Sequence, residues 1–214
     1  MASQLLYLSG AHDDRLWGIE NVGAMTTPMM GNRPTPAGVR FGIDNGCFSK
    51  PEAFNLEHYL SWIRERPGAL FATAPDKVGD AEATLAKSLP VLPLIREAGA
   101  PAALVAQNGI ENTTIPWDAI DCLFIGGDDE FKLSPLAADL TAEARARGKW
   151  AHWGRVNSLK RLRLARNAGA HSADGTFVAY GPDVNIPKVA KWMRTLATER
   201  VTDYRAATLF AQAA

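Results

Sequence analysis

Cysteine is scarce in this sequence: Cys47 and Cys122 are the only two in 214 residues. Two thiols are too few for a disulfide framework and lack the paired spacing of a structural zinc site, so a reducing, cytoplasmic setting is expected. Neither sign of charge is in excess, with 23 Lys and Arg against 23 Asp and Glu. No global field draws the chain toward a polyanion, and any nucleic-acid contact has to come from a local patch. Long apolar runs are missing too. Nowhere do about 18 consecutive apolar residues occur, and Met1 to Gly10 has no basic region leading into an apolar stretch, which points away from a membrane partner. Heptads, low-complexity tracts and close internal repeats are also absent, so a single domain over 1–214 is the natural division.

What is present is enough apolar residue, 47% of the chain, to bury one core. Short apolar runs alternate with longer amphipathic stretches, as when parallel strands are joined by crossover helices. The runs predict strands at Leu5–Ser9, Val39–Asp44, Ala69–Ala74, Ala102–Gln107, Cys122–Gly126, Trp150–Gly154 and His171–Asp174. Helices are predicted at Leu56–Arg66, Asp80–Ala98, Pro135–Arg147, Ser158–Ala168 and Ile186–Glu199. Asp80 and Ser158 are candidate helix caps, Gly148 and Gly169 candidate terminators, and Pro90 and Pro93 should split the second helix. Met25–Gly38, rich in Pro, Thr and Gly, reads as a long loop and a candidate lid. The fold class expected is α/β, a compact (β/α)8 TIM-like barrel, short against the usual length of about 250 residues. Its eighth strand comes from Phe177–Tyr180, or the barrel is incomplete; an open doubly wound sheet is the alternative.

Function is suggested by where the polar residues fall. The predicted strands end in Asp44-Asn45-Gly46, Pro75-Asp76, Gln107-Asn108-Gly109, Gly126-Gly127, Gly154-Arg155 with Asn157 nearby, and Asp174-Gly175-Thr176. In a parallel barrel all of these termini meet on one face, where such enzymes build their active sites. Singly, each has a plainer reading: an Asp after a strand is commonly a cap or turn former, and paired glycines permit tight turns. Asp80 fits the cap role better than Asp76. Jointly, three carboxylates, an amide, bare backbone and an arginine converge on one pocket.

Two carboxylates across a small pocket suit chemistry at an anomeric carbon, one attacking as positive charge develops and the other moving a proton. Their proximity raises one pKa and divides the labour. A metal held by three Asp residues is the competing reading. Against it, His152 and His171 fall where one side chain points into the barrel and the other outward.

At these strand ends the chain resembles the tRNA-guanine transglycosylase superfamily, and most closely its small members that place 7-deazaguanine bases in DNA. Phe41-Gly-Ile-Asp-Asn-Gly-Cys-Phe48 is similar to the family's Asp-Ser-Gly-Gly-Phe element, and Pro75-Asp76 stands where the family has a purine-recognising Asp. Val105-Ala-Gln-Asn-Gly109 resembles its Val-Gln-Gly-Gly turn, and Phe124-Ile-Gly-Gly127 its Gly-Gly-Leu element. Trp153-Gly154 replaces its Met-Gly segment, and His171-Ser-Ala-Asp-Gly175 takes the position of the strand carrying the nucleophile. The family's Cys-rich zinc subdomain is missing, and Gly175-Thr176-Phe177 replaces the sequence that follows its nucleophile. Those departures argue against tRNA and for DNA, with RNA as the alternative.

The resemblance implies a nucleophilic Asp174 that displaces guanine, and Asp44 as the proton acceptor for an incoming free 7-deazaguanine base. Asp76, Gln107, Asn45 and the Gly126-Gly127 backbone are the expected base readers, with Trp153 and Gly154 on the base's face. Arg155, Lys160, Arg161 and Arg163, with Lys149 and Arg166, offer a basic surface for phosphates, although several of them also fit the solvated face of one helix. No metal or other cofactor is implied. Simple hydrolysis by a nucleosidase or DNA glycosylase, and a catalytically silent nucleic-acid-binding module, are the rival readings.

Overall fold

Eight parallel strands close into a barrel in chain order: β1 (Leu6–Ser9), β2 (Val22–Thr26), β3 (Phe41–Ile43), β4 (Ala72–Thr73), β5 (Ala102–Ala106), β6 (Cys122–Ile125), β7 (Trp150–Trp153) and β8 (Ser172–Gly175). The computed structural model describes residues 4–30, 35–47 and 54–202. Closure joins the first strand to the last, with Leu6 opposite Ser172 and Leu8 opposite Asp174. The fold is therefore a complete (β/α)8 barrel, which removes both the incomplete barrel and the open sheet.

The eighth strand comes from a different place than expected. Phe177–Tyr180 forms a 3-10 turn, and the eighth strand is β2, whose Met25 and Thr26 fall at the start of the expected Met25–Gly38 loop. Gly23 explains why β2 is hard to read. A Cβ there would lie 2.3 Å from Arg40 O and 2.9 Å from Leu8 Cδ2, so close strand packing demands a residue that weakens the apolar signal. The rest of that candidate lid holds a 3-10 turn at Pro28–Met30, and 31–34 lie outside the described residues.

The helices are α1 (Leu56–Arg64), α2 (Ala81–Ser88), α3 (Leu92–Glu97), α4 (Asp129–Leu133), α5 (Pro135–Ala146), α6 (Leu159–Ala168) and α7 (Pro182–Thr198). Pro90 and Pro93 do divide the second predicted helix, into α2 and α3. Asp80 caps α2 by accepting from Ala83 N at 2.9 Å, and Ser158 caps α6 by accepting from Arg161 N at 3.3 Å. Gly169 ends α6 in the left-handed conformation. Before α1, the connections carry only 3-10 turns among the described residues, which is how a barrel fits into so short a chain.

Strand alternation separates two apolar layers. Leu6, Leu8, Met25, Phe71, Ala103 and Cys122 fill the lumen. Tyr7, Ala24, Leu104, Leu123 and Trp153 belong to the outer layer, with Ile63, Ile95, Leu140, Leu162 and Val189 from the helices. No helix among the described residues is long and apolar enough to cross a membrane.

Candidate active site

Parallel strands bring every carboxyl end to one face, and there the chain forms a cavity of about 430 Å³ lined by Asp44, Asp76 and Asp174. That volume suits a small planar ligand. Asp44 follows β3, Asp76 follows β4, and Asp174 lies within β8. Three carboxylates remote in sequence thus share one space.

Their surroundings differ. Asp44 Oδ1 accepts only long hydrogen bonds, from Thr73 Oγ1 and Gly46 N, both at 3.4 Å. Burial, and then the charges of Asp174 and Asp76, push its pKa up to about 6. Asp76 is buried and accepts from Asn45 Nδ2 at 3.1 Å and Gln107 Nε2 at 2.7 Å. Burial raises its pKa, and those two amides oppose the rise. Asp174 Oδ1 accepts from His152 Nε2 at 3.0 Å and Arg155 N at 3.3 Å.

The two amides tie the strand ends together. Asn45 Nδ2 spends its second hydrogen on Ala74 O at 2.7 Å, and its Oδ1 accepts from Cys47 N at 2.7 Å. Asn45 therefore shapes Asp76 and has no hydrogen left for a ligand. Gln107 Oε1 accepts from Gly79 N and Gly127 N, each at 2.9 Å, which leaves one Nε2 hydrogen for a ligand. The expected backbone readers are likewise committed: Gly126 N donates to Ala106 O at 2.9 Å and Gly127 N to Gln107. What Gly126 supplies is closeness, since a Cβ there would lie 2.6 Å from Val105 Cγ1.

Trp153 does not face the cavity. Strand alternation turns it outward, where its Nε1 donates to Thr141 Oγ1 of α5 at 2.9 Å, and this corrects the expectation that it stacks on a base. The aromatic rings lining the cavity are Phe124, from β6, and Tyr180, from the 3-10 turn after β8. Gly154 makes room for Phe124, because a Cβ at that position would come within 2.4 Å of Phe124 Cε1. Counting inward positions on β6 and β7 could have found Phe124 and His152, since Trp150 and His152 face the lumen together. His152 is fully buried there, whereas His171 is half-buried and stacks on Trp150. Gly175, next to the candidate nucleophile, is equally constrained: a Cβ would meet Asn157 Oδ1 and Tyr7 OH at 2.6 Å and Val156 O at 2.7 Å.

Arg155 lines the cavity with a left-handed backbone, φ 55°, a conformation that costs a non-glycine residue about 1 kcal/mol or more. Its backbone N–H holds Asp174, and its Nη2 reaches across to Gly127 O at 2.8 Å. The other expected phosphate contacts are arranged differently. Arg161 is paired with Asp129 at 2.6 Å, Arg163 donates to Glu199 at 2.9 Å, and Arg166 is buried against Leu196 O at 2.9 Å. Lys160 is exposed on α6. Lys149 precedes β7 and so lies at the opposite end of the barrel from the cavity. Asp128, Asp129 and Glu130 are exposed where β6 gives way to α4, so this side of the mouth is acidic as much as basic. Among the described residues, no three His, Cys, Asp or Glu side chains gather as a metal-holding group.

No family model and no curated protein matches this chain. A solved structure described as "Native KDPGal structure" is similar to it over 90% of this chain and 91% of its own, at 14% identity and a TM-score of 0.50. That likeness extends to the fold: this chain, like the described structure, is a (β/α)8 barrel.

Proposed function

We propose that this chain exchanges guanine in DNA for a free 7-deazaguanine base through a covalent glycosyl ester on Asp174, without a cofactor. The observation that carries the reading is that Asp174 and Asp44 share one cavity while their environments separate their roles. Asp174 takes two donors on one oxygen, at 3.0 and 3.3 Å, and the pKa of Asp44 is raised to about 6, where it can both give and take a proton.

In the first half-reaction an Asp174 oxygen bonds to C1′ and the C1′–N9 bond breaks. The bonding pair goes to N9 of guanine, which takes a proton from Asp44. In the second, N9 of the incoming base gives its proton to Asp44 and attacks C1′, and the ester bond breaks to restore the Asp174 carboxylate. The remaining lone pairs of Asp76 accept N–H groups of the base, and Phe124 offers a face for it. The target guanine has to leave the base stack to reach the cavity.

A nucleosidase draws support from the mixed charge of the mouth, where Arg161 is already paired with Asp129 and so offers little to a phosphate backbone. One experiment separates the readings: labelled 7-deazaguanine base is supplied with guanine-containing DNA, RNA or guanosine. Label in the DNA, with a protein-DNA adduct on denaturing gels that Asp174→Ala abolishes, is the expected result. Free guanine without incorporation establishes hydrolysis instead, and an adduct that persists in Asp174→Ala refutes the nucleophile.

A further inference from the structure

Beneath the cavity, the lumen holds a polar chain that the steps above leave unused. Trp150 and His152 are two apart on β7, as are Ser172 and Asp174 on β8, so all four side chains point into the lumen. His152 stands opposite Ser172 in the register. Trp150 Nε1 donates to Ser172 Oγ at 2.8 Å, Ser172 Oγ lies 2.7 Å from His152 Nδ1, and His152 Nε2 lies 3.0 Å from Asp174 Oδ1.

The proton positions follow from the partners. An ionised carboxylate only accepts, so Nε2 carries the ring hydrogen. Burial lowers the ring's pKa, against the opposing pull of Asp174, and a neutral ring has no second hydrogen. Nδ1 therefore accepts the Ser172 hydroxyl hydrogen, and Ser172 in turn accepts from Trp150. Phe71 and Phe124 pack against the ring, with centroids 4.8 Å and 4.5 Å away, and against each other at 6.2 Å. The sequence of groups resembles a Ser-His-Asp hydrolase triad turned around: the hydroxyl is fully buried and the carboxylate faces the cavity.

We infer that His152, oriented by Ser172 and Trp150, is a positioning residue that fixes Asp174 through Oδ1 and thereby makes Oδ2 the attacking atom. The inference rests on the exchange reading. Oδ1 is occupied by His152 and the Arg155 N–H, and Oδ2 has no hydrogen-bond partner among the described residues. When Oδ2 bonds to C1′, Oδ1 becomes the ester carbonyl oxygen. When that bond breaks, negative charge returns to a carboxylate whose N–H donor is already in place, which eases departure.

The test compares wild type with His152→Leu, His152→Gln and Ser172→Ala in single-turnover adduct formation and steady-state exchange. Removal of a preorganised donor of this kind predicts a fall in kcat of about 100-fold for His152→Leu with KM for DNA changed less than about twofold. Glutamine, whose Nε2 can replace that of the imidazole, should restore about tenfold of the loss. Nitrogen-15 NMR of wild type should show the Nε2-protonated neutral ring at pH 7, and Ser172→Ala should raise the share of the other tautomer. Unchanged kcat in a folded His152→Leu, or a proton on Nδ1 in wild type, overturns the role while leaving exchange intact. If His152→Leu does not fold, the glutamine variant and the tautomer decide. Wild type that neither exchanges base nor forms an adduct overturns both the role and the activity.

Discussion

Replacing Asp44 with Asn should make the protein more stable at neutral pH while removing the proposed exchange activity. In the folded protein the pKa of Asp44 is up from the ordinary 3.8 to about 6, so the native state holds this proton more tightly than the unfolded chain does. Between those two values the native state binds more protons, and stability falls as pH rises through that window. The difference of about 2 pH units, at about 1.4 kcal/mol each, means that ionised Asp44 costs about 3 kcal/mol above pH 7. Asparagine keeps the oxygen that accepts from Thr73 and Gly46 but carries no charge. At pH 7.5 the variant should be more stable by up to about 3 kcal/mol, a rise in Tm of about 6 to 12 °C for a chain of this size. Near pH 3.5 the two proteins should melt together. Urea or thermal unfolding of both from pH 3.5 to 8 measures the difference directly. Curves that run parallel across the whole range would refute the electrostatic account of this cavity.

Phe124→Leu should weaken binding of a free purine-like base about tenfold in a calorimetric titration, from loss of the aromatic face. Trp153→Phe should leave that affinity within about twofold and cost about 1 kcal/mol of stability through the lost bond to Thr141. Equal losses of affinity in the two would mean that the cavity face is misassigned. Gln107→Leu frees the Gly79 and Gly127 N–H groups and withdraws a donor from Asp76, so a loss of about 3 kcal/mol or more is expected in denaturant unfolding. Unaltered stability would show that Gln107 does not tie these strand ends together.

Strand ends were legible in the sequence because they combine an apolar run with an abrupt polar stop. Asp44, Asp76, Gln107 and Asp174 could each be placed at the cavity without knowing a single side-chain direction. Direction is what the reading of Trp153 lacked, because a one-residue difference in alternation separates the lumen from the helix layer. β2 carries a weak apolar signal because close contact with Arg40 O and Leu8 demands a glycine at position 23. Arg161 and Arg163 looked available for phosphates because their partners, Asp129 and Glu199, lie more than 30 residues away in the chain. The hydrogen bonds that tie Asn45 and Gln107 to Asp76 are equally long-range, each spanning 31 residues.

The pairing of Leu8 with Asp174 has a consequence for biosynthesis. The candidate nucleophile rides on the strand that seals the barrel against its own beginning, and its imidazole partner arrives only one strand earlier. A growing chain that has emerged through β7 carries Asp44, Asp76 and Gln107 but has nothing with which to attack a sugar. On the proposed exchange, reactivity toward nucleic acid is thus withheld until the ring of strands is shut, and a later opening of the seam between first and last strand would disarm the protein.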